Sequence, residues 1–146
     1  MGDIQKLKRW IEESDSIVFF GGAGVSTESG IPDFRSVDGL YSQKFDYPPE
    51  RIISHSFYER DPAYFFRFYR EKMLPLGFEP NITHKVLARW EREGKLSAVV
   101  TQNIDGLHQK AGSENVLELH GCVLRNFCTQ CRKFHDAEFV QNSDGI

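Results

Sequence analysis

The chain has 146 residues, of which 40% are hydrophobic and 27% are charged, and its formal net charge is −3. This length and composition are typical of one ordinary globular domain and exclude a largely disordered chain. The slightly acidic balance gives no electrostatic reason to expect a nucleic acid or a membrane surface as a partner.

The first elements predicted along the chain are a helix, a strand and a glycine turn. Ile4, Leu7 and Ile11 recur at helical spacing, and Asp3 is a candidate cap for that helix. Residues 16–20 form a short apolar run before a set of glycines, which is typical of a buried strand followed by a tight turn.

The rest of the chain continues to alternate helices and strands. The further predicted elements are an aromatic helix capped by Asp61, a helix capped by Asn81 that ends at Gly94, a strand at 96–101, a short helix at 105–111 and a strand at 116–119. This order predicts an α/β fold with a parallel sheet and helices on both faces. A doubly wound dinucleotide domain has about six strands. The sheet predicted here is therefore incomplete and should expose apolar surface.

The turn Gly22-Ala23-Gly24 directly follows the first predicted strand. Glycines allow bare backbone to approach a pyrophosphate, and the N–H groups at a helix start favour its negative charge. The third glycine of the dinucleotide fingerprint is replaced by Thr27, however, and the expected acidic residue further on is missing. From spacing alone, a dinucleotide site and a tight turn without a ligand stay equally open.

Four segments together resemble the sirtuin family in order, spacing and identity. They are Gly22-Ala23-Gly24-Val25-Ser26, Gly30-Ile31-Pro32-Asp33-Phe34-Arg35, Thr101-Gln102-Asn103-Ile104-Asp105-Gly106-Leu107-His108, and His120-Gly121 followed by Cys128-Thr129-Gln130-Cys131. These motifs stand in register along nearly the whole chain. The chain therefore resembles the N-terminal portion of a sirtuin, which is an NAD-dependent protein-lysine deacylase.

The resemblance implies a Rossmann-like parallel sheet with helices on both faces, together with a small helical and zinc-ribbon domain. Residues 1–120 would form the N-terminal part of the NAD-binding domain, with a helical insertion at about 36–80, and residues 121–146 the truncated start of the zinc-ribbon module. The family's later strands, and the loops that hold the adenosine half of NAD, are expected beyond Ile146.

The resemblance also implies the site residues. NAD would be bound by Gly22, Ala23, Gly24, Ser26, Thr27, Ile31, Asp33, Phe34, Arg35, Gln102, Asn103, Ile104, Asp105 and His120. Ala23, Ile31, Phe34, Ile104 and Asp105 would line the nicotinamide pocket, whereas Asp33 and Arg35 would shape a mobile loop over the cofactor. Gln102 and Asn103 would lie beside the ribose. His120 and Asn103 would be catalytic, with His120 as the general base, for which an imidazole with an ordinary pKa of about 6.5 is suited.

Each of these residues also has an ordinary structural interpretation. Asp105 is well placed to cap a short helix, Arg35 and Asp33 to form a surface ion pair, and a single histidine such as His120 to make a structural hydrogen bond. The other histidines, His55, His84, His108 and His135, are interpreted as structural.

Cys128 and Cys131 have the spacing of half a structural zinc site, which requires four ligands. In sirtuins a second cysteine pair follows, and the chain up to Ile146 contains none. Cys122 and His135 could complete a local set, although a pair beyond this chain is the favoured explanation. An odd number of cysteines, two of them at metal spacing, favours a reducing compartment, and a cytoplasmic protein is predicted.

The predicted function is NAD-dependent deacetylation of acetylated protein lysines, with release of nicotinamide and O-acetyl-ADP-ribose. Tyr69 and Lys72 stand where desuccinylating sirtuins have a Tyr and an Arg, and because a lysine cannot replace a bidentate arginine, acetyl is the favoured acyl group. Two alternatives stay open: an inactive fragment with at most zinc or partial NAD binding, and a protein ADP-ribosyltransferase. No nucleic-acid or membrane partner is predicted, and no oligomeric state.

Overall fold

The computed structural model describes residues 2–145; Met1 and Ile146, at the outer limits of the predicted domain ranges, lie outside the described residues. The helices are α1 (Asp3–Glu13), α2 (Pro49–Ile52), α3 (His55–Arg60), α4 (Pro62–Phe68), α5 (Ile82–Arg92), α6 (Leu107–Lys110) and α7 (Ala137–Asn142). The strands are β1 (Ile17–Gly21), β2 (Leu96–Thr101), β3 (Val116–Glu118), β4 (Asn126–Phe127) and β5 (Phe134–His135). Short 3₁₀ turns lie at Ala23–Val25, Thr27–Ser29 and Leu40–Ser42, and a π-helical turn at Tyr69–Met73 follows α4.

The three strands predicted from apolar runs form one parallel sheet in the order β1-β2-β3. Phe20 pairs with Val100, and Val100 with Leu117, so the strands are aligned at their carboxyl ends. The parallel α/β arrangement is therefore confirmed. The carboxyl ends of parallel strands meet at one edge of a sheet, and ligands of such folds bind there. That edge places Gly21, Thr101 and the residues that follow them side by side.

Among residues 2–145, a helix packs well against only one face of this sheet. Helix α5 places Leu87 and Trp90 against Phe19, Val99 and Val116, and these residues form a core cluster. On the opposite face Val18, Phe20 and Leu117 are each more than half exposed. A second helical layer was expected, and within residues 2–145 that face is not covered in this way. The expectation of exposed apolar surface is confirmed.

Helices α2 to α4 build a second, separate core. Leu40, Ile52, Phe57 and Phe68 are its buried members, and further aromatic side chains pack around them. Asp61 accepts a hydrogen bond of 3.0 Å from the backbone N–H of Tyr64, which confirms its role as the cap of α4. The aromatic side chains of α4 thus serve mainly to fill this core, which is the most frequent role of such residues.

Two predicted caps have different outcomes. Asn81 caps α5 as predicted, because its side chain accepts from Thr83 N–H and it forms a capping box with His84. Asp3 was expected to be a cap and is instead the first helical residue of α1, after Gly2, which makes no side-chain cap bond. An acidic residue there favours the positive end of the helix dipole without capping it.

After residue 121 the chain forms the antiparallel β4–β5 hairpin and α7. The π-helical turn holds this segment from the side: Arg70 Nε donates to the carbonyl of Val140 at 2.9 Å, and the Tyr69 hydroxyl donates to Asn126 Oδ1 at 3.2 Å. Burial raises the pKa of Tyr69 to about 12, so the phenol stays protonated. None of the helices in the described part of the chain is long and apolar enough to cross a membrane.

Candidate active site

A cavity of about 380 Å³ opens at the carboxyl edge of the parallel sheet, which is a size typical of small-molecule sites. Its wall combines the turn after β1, the loop after β2, the segment after β3 and the end of the aromatic helix region. The lining residues are Ala23, Ile31, Pro32, Phe34, Leu40, Gln43, Ile53, Glu71, Lys72, Met73, Leu74, Pro75, Phe78, Gln102, Asn103, Ile104, Asp105 and His120.

A buried hydrogen-bond network stands behind this wall. The Ser26 hydroxyl donates to Asp105 Oδ2 at 2.6 Å, and Asn103 Nδ2 donates to Ser26 Oγ at 3.0 Å. The backbone N–H of Asn103 in turn donates to Thr101 Oγ1 at 3.0 Å. The turn after β1 and the loop after β2 are therefore joined by hydrogen bonds between buried side chains.

Asp105 uses both of its carboxylate oxygens for hydrogen bonds within the chain. Oδ1 accepts from the backbone N–H of Leu107 at 2.9 Å, whereas Oδ2 accepts from Ser26. Gly106 is the N-cap of α6, so Asp105 lies one residue before the cap position that was predicted for it. The predicted helix at 105–111 therefore begins later, at Leu107. A carboxylate offers about four acceptor positions, and two of them are used here. The Asp105 carboxylate can accept further bonds from a ligand in the cavity.

The tautomer of His120 is fixed by the backbone carbonyl of Gln102. Its Nδ1 lies 3.0 Å from the carbonyl oxygen of Gln102, and a carbonyl can only accept, so Nδ1 carries the hydrogen. In the neutral ring, Nε2 then has a free lone pair. His120 lines the cavity of about 380 Å³ and is exposed, so Nε2 can accept a proton from a bound molecule.

The loop that follows the second 3₁₀ turn is shaped by Asp33. Its Oδ1 accepts from the backbone N–H groups of Ser36 at 2.8 Å and Arg35 at 3.2 Å. Hydrogen bonds from Ser36, and then from Arg35, lower the pKa of Asp33. No ion pair between the Asp33 and Arg35 side chains is found in residues 2–145, so the expected surface pair is not what joins them.

The structure brings most of the predicted NAD-binding residues together, in two adjoining cavities. Gly24, Asp33 and Arg35 line a second cavity of about 470 Å³ that shares Ala23, Phe34, Gln102, Asn103 and His120 with the first. Ser26 lies behind the wall. Gly22 and Thr27 line neither cavity: Gly22 lies against the Gln102 side chain, and Thr27 Oγ1 donates to the Gly24 carbonyl at 2.9 Å.

Sequence motifs missed the wall contributed by residues 71–75. Met73, Leu74 and Pro75 line the first cavity, of about 380 Å³, although no motif marks them. Lys72, which was noted for acyl selection, lines it too, whereas Tyr69 does not. The signal available in sequence was the long aromatic helix, and helical spacing alone does not show which end reaches a cleft.

Cys128 and Cys131 lie around the turn of the β4–β5 hairpin. The backbone N–H groups of Cys131 and then Gln130 lower the pKa of Cys128, which favours the thiolate that a metal binds. Residues 2–145 contain no group of three His, Cys, Asp or Glu side chains placed to hold a metal ion. The described residues therefore do not form the local set with Cys122 and His135, which was the less favoured explanation, and a zinc site at Cys128 and Cys131 stays a prediction.

Comparisons with known proteins agree with this arrangement. The model of the Sir2 family matches residues 22–144, and the chain belongs to this family. It is 57% identical over 145 residues to a Clostridium perfringens protein named NAD-dependent protein deacetylase, covering 98% of this chain and 59% of that protein. The protein of that name from Clostridium acetobutylicum is 58% identical over 143 residues, covering 97% of this chain and 58% of that one.

Solved structures give the same fold. A Sir2 enzyme with 45% identity superposes with a TM-score of 0.81 over 97% of this chain and 56% of that one. A Sir2 variant in complex with a deacetylated p53 peptide and 3′-O-acetyl-ADP-ribose has 38% identity and a TM-score of 0.84 over 93% of this chain and 54% of that one. The fold is thus the Rossmann-like parallel sheet of Sir2 proteins. The chain spans about three fifths of the length of the curated relatives it matches.

Proposed function

We propose that the protein is an NAD-dependent protein-lysine deacetylase that acts on acetylated lysines and produces nicotinamide and O-acetyl-ADP-ribose. The single observation that carries this proposal is the free Nε2 of His120 at the cavity that Asn103 and Asp105 also line. The names of the relatives, and the complex of a Sir2 neighbour with a deacetylated peptide and acetyl-ADP-ribose, support it.

When bound, NAD supplies an activated ribose carbon from which nicotinamide can leave and to which the acyl oxygen can attach. The side chains of Ile31, Phe34 and Ile104 give the nicotinamide end of the cavity an apolar wall. Such a wall limits the access of water, which would otherwise hydrolyse the cofactor without deacetylation. The unused acceptor positions of Asp105 would take the carboxamide N–H.

His120 would act by removing a proton from a ribose hydroxyl. The carbonyl oxygen of Gln102 lies 3.0 Å from Nδ1 and accepts its hydrogen, so the lone pair of the neutral ring is on Nε2. Because Nδ1–H stays bonded to a carbonyl dipole, the imidazolium that forms on proton uptake is stabilised in the same orientation. Asn103, fixed by two buried hydrogen bonds, would orient the ribose beside it.

Acetyl is the acyl group that the cavity favours in this proposal. The Tyr69 hydroxyl bonds to Asn126 Oδ1 and the Val123 carbonyl, and Tyr69 does not line the cavity. Lys72 remains as a cation at the wall of the cavity. An acidic acyl group would therefore lack both the phenol and a bidentate partner.

The deacetylase is tested by incubating the protein with an acetyl-lysine peptide, with and without NAD, and following the peptide mass and the small-molecule products. We expect NAD-dependent loss of the acetyl group, which His120→Ala reduces about 10²–10⁴-fold, as is usual for loss of a general base. His55→Ala removes an exposed imidazole and is the matched control. Transfer of ADP-ribose to protein without O-acetyl-ADP-ribose would instead identify an ADP-ribosyltransferase, and absence of both products would exclude the proposal for this chain.

We also propose that Cys128 and Cys131 provide two of the four ligands of a structural zinc ion, as part of a zinc-ribbon module. The lowered pKa of Cys128 supports this assignment. Zinc would stiffen the hairpin turn and take no part in the chemistry. Co²⁺ added to the protein should give thiolate charge-transfer absorption that Cys128→Ser removes, whereas an unchanged spectrum in that variant would refute the assignment. Three cysteines without a disulfide support the proposal of a cytoplasmic location.

A further inference from the structure

A short loop carries His120 from the parallel sheet to the β4–β5 hairpin. Glu118 is the last residue of β3 and Arg125 directly precedes β4, so these two residues enclose the loop at 119–124. The side chain of Glu118 is only 8% exposed, whereas that of Arg125 is 53% exposed. A carboxylate as buried as that of Glu118 requires charged or polar partners, because leaving it without them is costly.

Both carboxylate oxygens of Glu118 have a partner from another segment of the chain. Oε1 accepts from Gln109 Nε2 of α6 at 2.7 Å. Oε2 accepts from Nη2 of Arg125, with which it forms an ion pair. Glu118 therefore joins the end of β3 to the helix that follows the β2 loop and to the start of the hairpin. The ion pair also closes the loop of His120 at its two ends.

The backbone of Glu118 begins the turn on which His120 lies. The N–H of Gly121 donates to the carbonyl of Glu118 at 3.4 Å, which makes His120 the third of the four residues of this turn. After the turn, the N–H of Val123 donates to the carbonyl of Ile104 at 3.1 Å. The loop thus leaves the sheet at Glu118 and returns to the segment after β2.

The orientation of the His120 ring depends on where this loop is held. Its Nδ1 lies 3.0 Å from the carbonyl oxygen of Gln102, which follows β2, so the bond requires a fixed separation between the two segments. Without Arg125, the Glu118 carboxylate would lose a charged partner and would move towards water. Because Glu118 is only two positions before His120, this movement would displace the ring from Gln102.

We propose that Glu118, held by Arg125, is a positioning residue that keeps His120 in place as the proton acceptor of the candidate active site. Neither Glu118 nor Arg125 lines the two cavities at the carboxyl edge of the sheet, so they act through His120. The proposal rests on the proposed NAD-dependent function for its reaction, whereas the fixed orientation of His120 is a property of this chain alone.

The orientation is tested without any ligand, by NMR of the protein labelled with ¹⁵N-histidine. At pH 9 a free imidazole is neutral, and the ring nitrogen shifts then report which nitrogen carries the hydrogen. We expect the Nδ1–H form of His120 in the native protein and a mixture of the two tautomers in Arg125→Met. Arg125→Lys keeps a cation beside Glu118 and should recover most of the Nδ1–H form.

Arg9→Met is the matched control for the NMR measurement. Arg9 also belongs to an ion pair and is 51% exposed, but it lies in α1, so its loss should leave the His120 signals unchanged. Glu118→Gln keeps the size of the side chain and an acceptor for Gln109, and it should give the same mixture of tautomers as Arg125→Met. A native tautomer of His120 in both Arg125→Met and Glu118→Gln would overturn the proposal.

The effect on the reaction is tested by measuring two of its steps separately. Exchange of labelled nicotinamide into NAD, with an acetyl-lysine peptide present, requires only the departure and return of nicotinamide, which in the proposed function precede proton transfer to His120. Formation of O-acetyl-ADP-ribose requires the proton transfer as well. We expect Arg125→Met to lower product formation about tenfold while changing exchange by about twofold at most, and Arg125→Lys to recover most of the loss.

The outcomes separate the positioning role from the proposed function. Equal losses of exchange and product formation in Arg125→Met would indicate a general structural defect and overturn the positioning role. If the native protein shows neither activity, the proposed function fails, and the NMR result alone decides whether Glu118 and Arg125 hold His120. If the native protein is active and the folded variants keep both native rates, the positioning role is overturned while the proposed function stands.

Discussion

Acid should destabilise this protein well before its carboxylates are protonated, because of His108. Its folded-state pKa is about 4, against an ordinary value of 6.5. A group with a lowered basic pKa binds more protons in the unfolded state, so the free energy of unfolding rises with pH in this window. The contribution is complete above pH 6.5 and is lost as the pH falls towards 4.

The magnitude follows from the shift. At about 1.4 kcal/mol for each pKa unit, the full loss is roughly 3 kcal/mol at pH 4, of which about 2 kcal/mol is already lost at pH 5. The lowered pKa of His84 acts in the same direction. A domain with ordinary stability of about 5–15 kcal/mol would lose a substantial part of it.

The assay is urea unfolding between pH 7.5 and 4.5, followed by circular dichroism. His108→Leu cannot titrate, so its unfolding free energy should fall less steeply with acid than that of the native protein, whatever its value at pH 7. His55→Leu, at an exposed position, is the matched control and should keep the native slope. Parallel pH profiles for His108→Leu and the native protein would refute the buried neutral imidazole.

Two further substitutions, at Gly106 and Asn81, test contacts that support the candidate site, and the same unfolding measurement is used. Gly106→Ala should lower the free energy of unfolding by about 2 kcal/mol, because φ is +71° there and the added methyl group would collide with Leu124. Gly24→Ala is the control: nothing lies within 4 Å of the added methyl group, so its loss should be far smaller. Equal losses in the two variants would contradict this reasoning. Asn81→Ala should cost about 2 kcal/mol through loss of the α5 cap and of the Nδ2 bonds. Asn81→Asp keeps the cap acceptor and should recover part of that loss; a variant as unstable as Asn81→Ala would show that the cap contributes little.

The strands and two helix caps were predictable because each depends on residues that are close together in the sequence. The three sheet strands are mostly apolar, and such runs are recognisable without knowledge of their partners. Asn81 and Asp61 cap their helices because the cap bond is made within three residues along the chain. Asp3 differs because Gly2 before it already provides an extended backbone, so the helix could begin one residue earlier.

The unpredicted features all depend on contacts between distant segments. The π-helical turn at Tyr69–Met73 turns its residues toward the cavity on one side and toward the β4–β5 hairpin on the other, and no local signal specifies that. His84 and His108 belong to two different helices, and each read alone is an ordinary core histidine. Only the structure shows that the two buried rings lie together, with their centroids 4.7 Å apart.

The candidate site does not depend on the exposed face of the sheet. Val18, Phe20 and Leu117 are more than half exposed there, and apolar surface of this kind is normally covered by a further element or a partner. The bonds that hold Ser26 and Asp105, by contrast, run through Asn81, on the α5 side of the sheet. This part of the cavity is thus anchored by the helical layer that is already packed, so whatever covers the open face should change the stability of the fold more than the geometry of these two residues.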